Sequence, residues 1–324
     1  VANSPDYPDS AADGYGQLSG RVASFAYDAQ HGRLYAAASQ GGVWESDDTG
    51  QTWRSIGNGL PTQVVGAVGY TPARGGTVIA ATGDGVTIDP KTDWQQVFDL
   101  GTRGSPGNAT AAGSAPNDSE NQVSAVAVRG SDGYVGYCGS CDPVLAHALF
   151  GNGIATNVGG AGAPAAGSPA GWHVAAARGL PHRIITSIAI DRANPGHIFV
   201  TLGSSTLRPY VPAGALGNDG VSVTSGAVYE SFDAGNDFTD VTANLPQIGA
   251  AWVAFHRRQL VVADTVGVFA STTNVPASKF KRLRYGVLGK GLPHASVFSL
   301  AFSPADPDLM VAATFGRGVW TYRF

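Results

Sequence analysis

The chain has 324 residues, with 45 glycines and 19 prolines making up about a fifth of it, and 14% charged against 43% hydrophobic residues. Such a composition suits one large β-rich domain spanning residues 1–324 and excludes a coiled coil, a helical bundle or a disordered tail. The net charge of −4 leaves no basic surplus for a phosphate backbone or an anionic membrane, so neither nucleic acid nor membrane insertion is expected.

The chain opens at Val1, its single methionine is Met310, and no basic segment followed by an apolar one comes before the first strand-like run. It reads as a processed or trimmed product, in keeping with a removed signal peptide and a secreted or cell-surface location. Six apolar, β-branched runs then recur, beginning near residues 21 (RVASFAYD), 64 (VVGAVGYT), 123 (VSAVAVRG), 184 (IITSIAID), 251 (AWVAFHRR) and 297 (VFSLAFSP). A turn and a second run follow each: RLYAAAS, TVIAATG, YVGYCGS, HIFVTLG, QLVVADT and LMVAATF. In most units a third run sets a small residue before valine and usually an aromatic, as at Gly42-Val43-Trp44, Ala227-Val228-Tyr229 and Gly318-Val319-Trp320. Fourth runs end at G-L-P or N-L-P, where proline, lacking an N–H for the ladder, punctuates.

Units of roughly 40 to 70 residues with four short strands predict an all-β, six-bladed β-propeller, with seven blades as the alternative. The last unit, residues 297–324, holds only three runs. The segment before Arg21 is therefore expected to pair with the last blade, closing the ring and removing an exposed edge. Two stretches, 101–121 and 151–171, are rich in Gly, Ala, Ser and Pro and read as long loop insertions. Between them, Cys138 and Cys141 sit three apart in YCGSCDP. A small disulfide loop is the expected reading for a secreted chain; a thioredoxin-like motif lacks its βαβ context, and a zinc site lacks further ligands beyond nearby His147. No metal and no cofactor are expected, since no H-E-x-x-H, no phosphate loop and no G-x-S-x-G occurs.

Two octets stand out. SDDTGQTW carries Ser46, Asp48, Gly50 and Trp53 at offsets 0, 2, 4 and 7, and SFDAGNDF repeats the offsets with Ser231, Asp233, Gly235 and Phe238. A worn copy uses Thr87, Asp89, Lys91 and Trp94. Short Ser and Asp side chains that bond nearby amides, a glycine free to take positive φ and a folded-back aromatic describe a tight hairpin. The octets resemble the Asp-box, or bacterial neuraminidase repeat, of sialidases, xyloglucan-cleaving glycosidases, sortilin-type receptors and photosystem assembly factors. The opening SGRVASFAYD and closing ATFGRGVWTYRF likewise look like secreted bacterial sialidase-like propellers. The resemblance implies that the box joins the two outer strands of a blade, away from the central funnel, so the eight octet residues are expected to be structural.

A glycosidase usually needs two carboxyl groups about 5 to 9.5 Å apart. Of the three glutamates, Glu45 and Glu230 stand just before the octets and Glu120 lies in an expected loop. An acid pair would thus be aspartates, Asp84 and Asp264 from different blades, whose other reading is turn capping. Sialidases resemble one another in an arginine triad, a Tyr–Glu pair and an acid Asp; the F/Y-R-I-P signature of the first arginine is missing here, and sialidase activity is not expected. The repeat register places Arg21, His182, Arg183, Arg208, Trp252, His294 and Arg317 at the funnel rim as candidate ligand-binding residues. Five of them have a plainer reading: Arg21 and Arg317 as blade braces, His182 and His294 as repeat ancestry after G-L-P, Trp252 as packing. The expected function is a monomeric ligand-binding or scaffold module that presents its funnel to a glycan or an extracellular protein. The alternative is a glycoside hydrolase that uses the rim aspartates on a polysaccharide.

Overall fold

Runs of β-branched and small apolar residues, separated by turns only a few residues long, can satisfy their backbone groups as antiparallel meanders. The computed structural model describes residues 22–38, 41–60, 63–82, 85–89, 94–99, 123–137, 152–159, 171–203, 227–275, 283–289, 291–292, 295–303, 306–314 and 317–324. The first sheet comprises β1 (Val22–Asp28), β2 (Arg33–Ala38), β3 (Gly42–Ser46) and β4 (Arg54–Ser55). The second has β5 (Val65–Thr71), β6 (Thr77–Thr82), β7 (Gly85–Asp89) and β8 (Gln95–Asp99); the third has β9 (Val123–Arg129), β10 (Asp132–Tyr137), β11 (Gly153–Thr156) and β12 (His173–Val174). The fourth has β13 (Ile185–Ile190), β14 (Ile198–Leu202), β15 (Val228–Ser231) and β16 (Thr239–Asp240); the fifth has β17 (Ala250–His256), β18 (Gln259–Asp264), β19 (Val268–Ser271) and β20 (Tyr285–Val287). The last has β21 (Val297–Phe302), β22 (Leu309–Thr314) and β23 (Val319–Arg323).

Every sheet follows chain order, and each inner strand packs on the next, from β1 on β5 through to β17 on β21. The architecture is a β-propeller. Among the described residues five blades are complete, and the last sheet has three strands. This corrects the expectation of six or seven full blades: nothing described pairs with the free edge of β23. The segment before Arg21, expected to do so, lies outside the described residues, as do Cys138, Cys141 and residues 101–121. The second expected insertion, 151–171, needs a correction, because Gly153–Thr156 within it is strand β11, buried along its whole length.

The inner strands share one irregularity. Their pairing slips after the first residue in all six sheets, between Val22 and Ser24, Val65 and Ala67, Ile185 and Ser187, Ala250 and Trp252, Val297 and Ser299, and opposite Gly136 and Tyr137 for β9. The skipped residue of such a bulge faces the next blade. At Gly66 a Cβ would come within 2.0 Å of the Val123 carbonyl oxygen, and Thr186 Oγ1 donates to the Ala250 carbonyl at 2.7 Å. Apolar clusters fill the seams: Tyr35 and Val43 against Val65 and Val78, Ile79 against Val135 and Trp172, Tyr134 and Ile154 against Ile198 and Val200, Phe199 against Leu260 and Val262, Val261 and Ala263 against Val297 and Met310.

Among the described residues, nothing packs on one face of each end sheet. The first residue of the inner strand is 0–3% exposed at Val65, Val123, Ile185, Ala250 and Val297, yet 45% exposed at Val22. At the other end the bulge residue Phe298 is 45% exposed and Val319 69% exposed. Burial of both seam faces is therefore the property of the middle blades.

Candidate functional site

Inner strands begin, and second strands end, at one mouth of the propeller; hairpins between them gather at the opposite mouth. The residues expected at the rim belong to the first mouth. Arg21, Asp84, Arg208 and His294 lie outside the described residues. Arg183 is buried and donates from Nε and Nη2 to the Gly203 carbonyl at 2.9 and 2.6 Å, with its pKa lowered by burial. It braces its own blade. Trp252 is half-buried and packs on the cluster shared by the last two sheets. His182 and Arg317 are exposed, and the Arg317 carbonyl accepts the Trp320 indole N–H at 2.8 Å. Asp264 is 2% exposed, and its Oδ1 caps a turn by accepting the Val266 and Gly267 amides at 2.7 and 3.0 Å. Burial raises its pKa against the pull of those amides. Among the described residues, Arg183, Trp252, His182, Arg317 and Asp264 line neither of the hollows described below.

Both octets fold alike at the outer hairpins, β3–β4 and β15–β16. Ser46 Oγ donates to Asp48 Oδ1 at 2.8 Å and accepts the Gly50 amide at 2.9 Å; Ser231 does the same for Asp233 and Gly235, also at 2.8 and 2.9 Å. Asp48 Oδ1 also takes the amides of Gln51 and Thr52, as Asp233 Oδ1 takes those of Asn236 and Asp237. The hydrogen bonds from Thr52 and Ser46 hold the Asp48 pKa down at about 2. Gly50 and Gly235 have φ of 91° and 90°, which glycine tolerates. Both glutamates before the octets are buried and structural: Glu45 accepts from Arg54 Nη2 at 2.5 Å, and Glu230 from His197 Nε2 at 2.8 Å.

A cavity lies at the opposite mouth. The far ends of β9, β13 and β17 border an open hollow of about 510 Å³, with Val128, Ile190, Ala254 and Phe255 forming apolar wall and Arg129 and Arg192 supplying charge. Arg129 Nη1 donates to the Asp191 carbonyl at 2.7 Å. Neither arginine forms an ion pair with a described residue, whereas neighbouring Arg257 is paired with Asp308 at 2.7 Å. The acid next to Arg192, Asp191, is spent elsewhere: Oδ2 lies 2.8 Å from His197 Nδ1, and Oδ1 caps the Ala193 amide; Asp132 stands opposite Arg129 in the β9–β10 register without an ion pair to it. Two guanidiniums without an ion pair to any described residue, over an apolar floor, suit an oxyanion, with carboxylate the planar match. Arg129 and Arg192 are not among the residues expected at the rim. A usable signal exists, because the hairpin position of Arg129 is filled by Asp28, Thr71, Asp191 and His256 in other sheets.

No protein-family model matches the chain, and no curated protein does. Solved structures do. YCF48 from Cyanidioschyzon merolae is 13% identical with a TM-score of 0.58, over 94% of this chain and 82% of that one. The GH74 xyloglucanase of Xanthomonas campestris is 16% identical with a TM-score of 0.52, over 91% of this chain and 43% of the enzyme. The gluconolactonase XC5397 of the same species is 14% identical with a TM-score of 0.54, over 94% and 86%. The chain spans less than half the length of the GH74 enzymes it resembles. At such identities what is shared is the β-propeller fold.

Proposed function

We propose that the chain is a secreted or cell-surface propeller of the Asp-box, sialidase-like kind, a monomeric scaffold that holds a carboxylate-bearing glycan or extracellular protein. The ligand sits at the mouth where Arg129 and Arg192 stand. One observation carries the reading: both guanidiniums flank an apolar hollow and neither meets a described acid. The octets support the Asp-box assignment through their matching Ser–Asp–Gly hydrogen bonds. A fold neighbour, YCF48, was solved bound to D1 peptide, which gives a propeller precedent for a protein ligand. The test is calorimetric titration of octagalacturonate and of a polyglutamate peptide into the full chain and into Arg129→Ala/Arg192→Ala. Binding of one probe, weakened at least about tenfold in the double variant, supports the reading and tells glycan from protein. Absence of binding by both probes, or equal binding by the variant, refutes it.

A glycoside hydrolase is the second reading, favoured by the raised pKa of Asp264, since a general acid must hold its proton near neutral pH. Its burial and its turn-capping role weigh against access to a substrate. Hydrolysis of polysaccharides that Asp264→Asn abolishes would establish this reading; hydrolysis that Asp264→Asn leaves intact, or no hydrolysis at all, excludes it.

A further inference from the structure

A second concavity, of about 630 Å³, lies between the third and fourth blades at their outer edge, lined among others by Val158, Asn194, Pro195, Phe232, Asp233 and Asn236. Phe232 is a large apolar side chain left 47% exposed. Its ring lies parallel to that of His197, 4.2 Å away at 8°. His197 is 1% exposed, with Nδ1 on Asp191 Oδ2 and Nε2 on Glu230 Oε1, each at 2.8 Å. Carboxylates hold the ring at both nitrogens, so the imidazole cannot turn. One face of Phe232 thus rests on a fixed plate and the other is open.

Polar groups around that ring remain available. Asn194 Oδ1 accepts the Gly196 amide at 3.0 Å, while its Nδ2 bonds to no described residue. Asp233 Oδ1 takes Ser231 Oγ and the amides of Asn236 and Asp237, while Oδ2 takes no described N–H or O–H. An aromatic plate flanked by an amide donor and a carboxylate acceptor matches a sugar ring, whose C–H face stacks while adjacent hydroxyls donate and accept. Charge bears on the class. Arg178 makes a two-pronged bond to Asp237 at 2.7 and 2.6 Å and also feels the charge of Asp233, so the two carboxylates outnumber the one guanidinium. The geometry points to a binding site for neutral saccharides with all-equatorial rings, such as β-linked glucose or xylose, on Phe232. This inference is independent of the axial mouth, which takes carboxylates.

The test titrates cellohexaose and xylohexaose into the full chain by calorimetry, alongside Phe232→Ala and Phe232→Trp. Binding of at least one hexamer is expected, weakened about tenfold or more in Phe232→Ala and kept in Phe232→Trp, whose indole emission shifts as the sugar stacks. The Trp variant also decides the matter should Phe232→Ala fail to fold. Lack of binding by both hexamers, binding by Phe232→Ala within about twofold of the parent, or unchanged indole emission at saturation overturns the inference.

Discussion

Truncating the first inner-strand residue to alanine in different sheets measures how the propeller ends. Val65 and Val297 are fully buried at this position, and Val22 is nearly half exposed. Val→Ala removes two methyl-sized groups at about 0.8 kcal/mol each, plus a cavity term where the surroundings cannot collapse, so about 2–3 kcal/mol is expected at Val65 or Val297. At Val22 roughly half the transfer term survives and water fills the gap, giving about 1 kcal/mol or less. Urea unfolding followed by intrinsic fluorescence reads the difference, provided the m-value is unchanged. A cost at Val22 equal to that at Val65 would mean that something covers the first sheet in solution, and the uncovered end faces would be wrong.

Three other outcomes are expected. Ser231→Ala removes a buried hydroxyl that both donates to Asp233 and accepts from Gly235; it should cost about 1–2 kcal/mol in urea, and a loss below about 0.5 kcal/mol contradicts the structural role of the octet. Burial opposes charge on His197, but Glu230 and Asp191 outweigh it and raise the pKa above 6.5. Its stabilisation is thus complete below 6.5 and lost as pH climbs through the raised folded value. Stability should fall as pH rises from 6.5 through that raised value in the parent and not in His197→Gln; parallel profiles would dismiss the charged pair. Deleting residues 1–20 tests whether that segment adds a strand to the outer edge of β23: the denaturation midpoint should drop, and an unchanged midpoint removes the proposed pairing.

Much of the fold is legible because each blade repeats a chemical rhythm. RVASFAYD, VVGAVGYT and IITSIAID announce inner strands by β-branched density, and the octets declare outer hairpins by fixed offsets that the Ser–Asp–Gly hydrogen bonds require. Strand β11 is not legible. GNGIATN is short, buried along its length and therefore free of alternation, and its glycine neighbours imitate a loop. The candidate sites are still less visible. Arg129 departs from the residue types at its repeat position, but nothing local reveals that Asp191 is committed to His197. His197 meets a partner 33 residues away in sequence, a proximity that only the meander of β14 and β15 creates. Asp264 shows the converse: D-T before V-G reads equally as acid or cap, and burial with two amide bonds assigns the cap.

Hydrogen–deuterium exchange with and without the carboxylate probe that binds tests the location of the ligand most directly. Protection is predicted in peptides spanning residues 126–130, 188–194 and 253–258, where three inner strands end beside Arg129 and Arg192. Protection confined to the other mouth, around residues 182–187 and 295–299, would contradict the account.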